Sequence, residues 1–100
     1  MSLIKQVKFY KSNREIKKMK AVFFDKNGKR IKTTHFGANG MSDFTIHKDK
    51  KRKQLYLNRH RKNENWEDFI TAGSLSRYIL WNKLTIEESI NHYKKKFKLF

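Results

Sequence analysis

A chain of 100 residues, one domain by its length, can enclose a small core, and its 14 aromatic residues supply much of the area for one. Without cysteine it has no disulfide framework and no thiolate metal site; no apolar run approaches the ~20 residues of a membrane helix, and the N-terminus lacks the apolar stretch and cleavage site of a secretory signal. Lys and Arg number 25 against nine acids, a net charge of +16, which points to a polyanionic partner: nucleic acid first, an acidic membrane or protein surface second.

The first candidate element lies in residues 3–12, where Val7 and Phe9 fall on one side of a strand and Lys8 and Tyr10 on the other. Residues 1–12, with 98–100, are also the stretches expected to fray. Residues 19–36 carry two β-prone runs around Asn27-Gly28, the pattern of a hairpin with a type I′ turn. That register pairs Phe24 with Ile31, Val22 with Thr33 and Lys20 with His35 on one face. Phe23/Lys32, Ala21/Thr34 and Met19/Phe36 take the other. The face with Phe24, Val22 and Ile31 is the one expected to be buried.

Gly37-Ala38-Asn39-Gly40 follows. It spells the GxxG with which KH domains clamp a nucleic-acid backbone, but that loop joins two helices and here a strand precedes it. The stretch is read chiefly as the turn between hairpin and helix. It brings together a polar cluster of His35, Gly37, Gly40, Asp43, Thr45 and His60.

Residues 49–62 contain no Gly, Pro or β-branched residue and read as a helix. The segment from Lys48 to Lys62 holds eight Lys/Arg against a single acid, Asp49. On a helix Lys48, Lys51, Arg52, Arg59 and Lys62 fall near one side, an arrangement that tracks phosphates by Coulomb attraction and counterion release. His47, Arg61 and Trp66 complete the expected nucleic-acid contacts, Trp66 because it is the ring least suited to a core. Residues 63–70 read as a connector. Thr71 caps a helix whose Leu75, Tyr78, Ile79 and Asn82 share a face, with Gly73 weakening its start. Thr85 and Glu88 form a capping box for a last helix striped by Ile86, Ile90, Tyr93 and Phe97, acidic at its start and lysine-rich at its end.

No zinc-finger or H-E-x-x-H spacing, Walker loop or nucleophile elbow is present, so no catalytic residue, metal or cofactor is assigned. The strings FGANGMSDFTIHKDKKRKQLYLNRH, ENW and TAGSLSRYILWNK, followed by TIEESI and YKKKF, resemble a family of small basic proteins of large DNA viruses, those of algal and amoebal hosts. The resemblance spans about Lys20 to Phe97. It departs from the family at Leu84 and Phe69, where relatives often have proline. It implies a viral origin, in the virion or the infected cell, and no established activity.

The expectation is one α+β domain over residues 1–100, a small antiparallel hairpin or three-stranded sheet packed against two or three helices. Its function is read as nucleic-acid binding through the phosphate backbone with low sequence specificity, DNA before RNA. The alternatives are a capsid-associated protein meeting an acidic virion protein, and a small nuclease built on His47, His60 and Asp43.

Overall fold

Three β-prone runs joined by short turns pair with their chain neighbours. β1 (Gln6–Lys11), β2 (Lys17–Phe24) and β3 (Arg30–Ala38) form an antiparallel sheet in that order, in a computed structural model that describes residues 3–100. Four helical segments follow: α1 (Phe44–His47), α2 (Lys50–His60), α3 (Ala72–Leu75), which runs directly into a π-turn over Ser76–Leu80, and α4 (Ile86–Phe97). The architecture is α+β, with a three-stranded sheet.

The hairpin joins β2 to β3, but its turn is not type I′. Gly28 has φ +83°, whereas Asn27 is not left-handed; the non-glycine residues with positive φ among those described are Lys48 and Lys98. Gly28 N–H donates to Asp25 C=O (3.1 Å) and Asp25 N–H to Lys29 C=O (2.9 Å), a type I turn closed by a left-handed glycine. The Asp25 carboxylate holds this form by accepting from the amides of Asn27 and Lys29, each at 2.9 Å. Phe24 therefore pairs with Arg30 rather than Ile31, and Ile31 is left as a bulge. From Phe23↔Lys32 to Met19↔Phe36 the register is the expected one.

The buried face is the opposite of the expected one. Ala21, Phe23 and Phe36 are fully buried, with Val7 from β1, while Ile31 is 44% exposed. β1 decides this. It sets Val7 beside Phe23 and Phe9 beside Ala21, enlarging that apolar face, and sets Lys8 beside Val22 and Tyr10 beside Lys20 on the other. Val22 is nonetheless covered on the open face, where Lys8 lies over the Phe24 ring and Lys20 over Tyr10.

Local caps set the helix starts. The Asp49 carboxylate accepts from the amides of Lys51 and Arg52, Thr71 from Ser74, and Thr85 from Glu88. The capping box is half formed: the Thr85 hydroxyl donates to the Glu88 carboxylate, 3.1 Å away. The helix capped by Thr71 ends at Leu80, short of Asn82, through a π-turn in which Trp81 N–H reaches back to Ser76 C=O. Leu75, Tyr78 and Ile79 are buried, as their spacing predicts, and Asn82 is buried beyond the helix end. In α4, Tyr93 is fully buried and its hydroxyl donates to Phe69 C=O at 2.6 Å, whereas Ile86, Ile90 and Phe97 are half-buried.

The two ends, both expected to fray, are hydrogen-bonded to each other. Val7 N–H donates to Phe100 C=O and Phe100 N–H to Lys5 C=O, each at 3.0 Å, and Leu99 is buried. Residues 1 and 2 of the stretch expected to fray lie outside the described residues. None of the described helices is long and apolar enough to cross a membrane.

Candidate nucleic-acid interface

The alternation of side chains around α2 divides it into two unlike faces. Tyr56 and Leu57 are buried, and Lys53 turns inward with them: its ammonium donates to Asn82 C=O (2.7 Å) and lies 4.9 Å from the Phe44 ring centre. Burial, with Arg77, Lys83 and Lys50 nearby, lowers the Lys53 pKa. On the outer face Lys51, Arg52 and Arg59 are exposed around Leu55, which is exposed although its apolar side chain called for cover, and Arg61 and Lys62 beyond the last turn are exposed too.

Lys48 departs from this face. It is not on α2 but ends α1 in a left-handed conformation (φ 56°), where its ammonium donates to the carbonyls of Thr45 (2.8 Å) and Leu84 (3.0 Å). The signal missed in the sequence was Asp43-Phe44-Thr45, an N-cap that starts a separate short helix.

Six of the nine acids are engaged away from the cations of the outer face. Asp25 holds the hairpin turn, Asp49 caps α2, and Asp43 is paired with Lys18. Glu64 is engaged with His60 and Trp66, Glu67 with Lys96, and Glu88 with Thr85. Among the described residues the ion pairs are Lys18–Asp43, His60–Glu64 and Lys96–Glu67. The side-chain charges of Lys51, Arg52, Arg59 and Lys62 are in none of them.

Beneath α2 the rings form a column. Tyr56 stacks on Trp81 (4.2 Å, 3° between planes) and on His60 (4.2 Å, 26°); beyond Trp81 come His47 (5.3 Å) and then Phe44. His47, expected on the phosphate surface, is thus a packed ring. Its Nδ1 accepts from the Asp49 amide (2.9 Å), which leaves the proton on Nε2, buried without a partner. Trp66 is also partly packed: its Nε1–H donates to Glu64 (2.8 Å), and the Arg77 guanidinium lies 5.3 Å from its ring. Arg77 is a cation the sequence reading did not single out. It donates to Trp81 C=O at 3.0 Å and its Nε is buried without a partner.

The expected polar cluster comes together only in part. Gly37, Asp43 and His60 line one cleft of about 460 Å³, together with Lys17, Lys18, Arg59, Glu64 and Ser76. Gly40 and Thr45 face a neighbouring hollow beyond Asp43. His35 stands apart, its Nδ1 2.7 Å from the Ser12 hydroxyl. The GANG stretch is a turn anchored from across the sheet: Asn39 N–H donates to Ile16 C=O and its side-chain amide to Glu15 C=O. Gly37 is required there. Its φ is +77°, and a Cβ would stand 2.7 Å from Leu80 Cδ1. The three residues of the nuclease reading are differently placed. Asp43 is held by Lys18 and Thr45, and two stacked rings separate His47 from His60.

Residues 7–60, from β1 to the last residue of α2, match a family of unknown function, DUF5754. No curated protein and no solved structure matches the chain.

Proposed function

We propose that this chain, which belongs to the family of unknown function DUF5754, binds nucleic acid through the phosphate backbone, with low sequence specificity. The supporting observation is the outer face of α2, where Lys51, Arg52 and Arg59, with Lys62 just past the helix end, are exposed and their side chains form no ion pair among the described residues. Cations held in a row by a helix displace the counterions condensed on a polynucleotide, and the released ions drive association. Such contacts position a protein without reading bases. DNA is the first partner proposed, in keeping with the large-DNA-virus setting that the resemblance implies.

A salt titration on duplex DNA tests this reading. Log K falls linearly with log[salt], by about 0.9 per phosphate neutralised, and replacing Arg52 and Arg59 together by Gln lowers the slope by about two units. Replacing Lys5 and Lys8 by Gln, on β1 and the segment before it, has the smaller effect. Equal losses from the two double variants would make the attraction a property of net charge and remove α2 as the site. Tight binding to an acidic protein, with no DNA binding near physiological salt, would replace the proposal by the capsid-associated reading.

A further inference from the structure

We propose that the cleft beside α2 holds one unstacked nucleotide of a single strand, its phosphate between Lys17 and Arg59 and its base against the His60 ring. The inference rests on the phosphate-binding reading and adds to it a preferred form of nucleic acid. Three observations carry it.

The first is charge. Lys17 from β2 and Arg59 from α2 line the same cleft, and neither has a carboxylate partner. Lys18, the third cation there, is neutralised by Asp43. A polynucleotide lying along the outer face of α2 reaches Arg59 without leaving that face, so the cleft adjoins the track at a shared residue.

The second is the ring column. Tyr56 stacks on Trp81 with 3° between planes and on His60 with 26°, ring centres 4.2 Å apart in each pair, and among the described residues His60 is the terminal ring. The Glu64 carboxylate, 2.9 Å from His60 Nδ1, fixes the plane of that ring. An unpaired base extends such a stack, whereas a base inside a duplex has both faces covered.

The third is shape. The cleft, at about 460 Å³, falls in the size range of pockets for small ligands, far too small for a duplex. Gly37, Ala38, Ala72 and Gly73 put no bulk into it, and Ser76 and Glu64 offer polar atoms to the edge of a base.

The test compares an oligothymidylate with a duplex of the same length by fluorescence anisotropy at one salt concentration, using the full chain. Ala38→Phe, on β3, and Ser76→Phe, on the π-turn, fill the cleft from two elements without changing charge, and His60→Ala removes the terminal ring. The variants are expected to weaken single-strand binding by about tenfold, the low end of what stacking one base contributes, and to change duplex binding by less than about twofold. A strand containing 2-aminopurine is expected to be quenched by the parent protein and not by the variants. Ala38 is exposed at the end of β3, so Ala38→Phe keeps the test decisive should Ser76→Phe fail to fold. Single-strand affinity unchanged in folded Ala38→Phe and His60→Ala, with salt-dependent duplex binding intact, would overturn the cleft alone. Equal losses for both forms would overturn it too. No binding of either form by the parent protein would overturn the cleft and the phosphate reading together.

Discussion

Asp43 is 2% exposed and accepts from the Lys18 ammonium (2.5 Å) and from both the amide and the hydroxyl of Thr45, so one carboxylate ties β2 to the start of α1. Removing it leaves the largely buried Lys18 without a counter-charge. Asp43→Ala should cost about 3 kcal/mol, the low end for breaking a buried ion pair, and urea melts read it directly. Lys18→Met in the same background should recover part of the loss; if it recovers none, the pair is not the cause. His92 offers a pH test. Its Nδ1 is 2.7 Å from the Asn82 side-chain amide, and burial, then the charges of Lys83, Lys96, Arg77 and Lys53, lower its pKa. The folded state thus holds the His92 proton less tightly than the unfolded chain. The stability His92 contributes is complete above the ordinary value of 6.5 and is lost as pH falls through the depressed folded value. Melts from pH 7.5 downward should show a loss below about pH 6.5 that is smaller in His92→Gln. Parallel curves would remove His92 from that role.

At the scale of elements, α4 shows how far periodicity carries. Ile86, Ile90, Tyr93 and Phe97 do share the inward face, yet Tyr93 alone is fully buried, in edge contact with Phe9 and Phe97 and hydrogen-bonded to Phe69 C=O. Burial ranks the substitutions. Tyr93→Ala should cost about 3–5 kcal/mol through the cavity it opens, and half-buried Ile90→Ala about half as much. Thr85→Ala, which loses only the cap to Glu88, should cost about 1 kcal/mol. Denaturant midpoints that place Ile90→Ala above Tyr93→Ala would show that α4 docks in another rotation. The π-turn after α3 belongs to the same scale. One extra residue in the ring of its hydrogen bond ends the helix at Leu80 and leaves Trp81 free to enter the column with Tyr56.

For the whole molecule, the ends matter more than their composition suggests. Leu99 is buried against the core, and the Phe100 backbone pairs with Lys5 and Val7, so the last residues extend the edge of the sheet beyond β1. Deleting residues 99–100 removes one buried leucine and three backbone hydrogen bonds, those of Phe100 with Lys5 and Val7 and that of Leu99 N–H to Lys94 C=O. The expected loss is about 3 kcal/mol, seen as a lowered melting temperature. No change would mean that the ends come apart in solution as readily as their lysine-rich sequence suggests. Charge is distributed on this scale too. With most of the few acids committed to caps, turns and core pairs, the cations of α2 are left facing solvent, and this asymmetry supports an anionic partner.

What the sequence determined by itself was local. Thr71 and Thr85 were legible as caps because a side-chain oxygen reaches an amide only three residues on, whereas the cap by Asp49 emerged from the structure. The register of the hairpin was legible from Phe23 to Met19, and the cationic outer face of α2 from its spacing. The turn was misjudged because the competing Asp25 carboxylate, beside Asn27-Gly28, favours the longer loop. Tertiary structure decided the rest. The buried face of the sheet depended on where β1 set Val7 and Phe9, and the fate of Asp43 on Lys18, 25 residues away. The cleft exists only because β2, α2 and the π-turn place Lys17, Arg59 and Ser76 around one space. A hydrogen bond to a near neighbour can be read from spacing, because the backbone fixes its length. A contact between distant residues is selected by how much apolar area the assembled chain can bury at once, and no single stretch carries that sum.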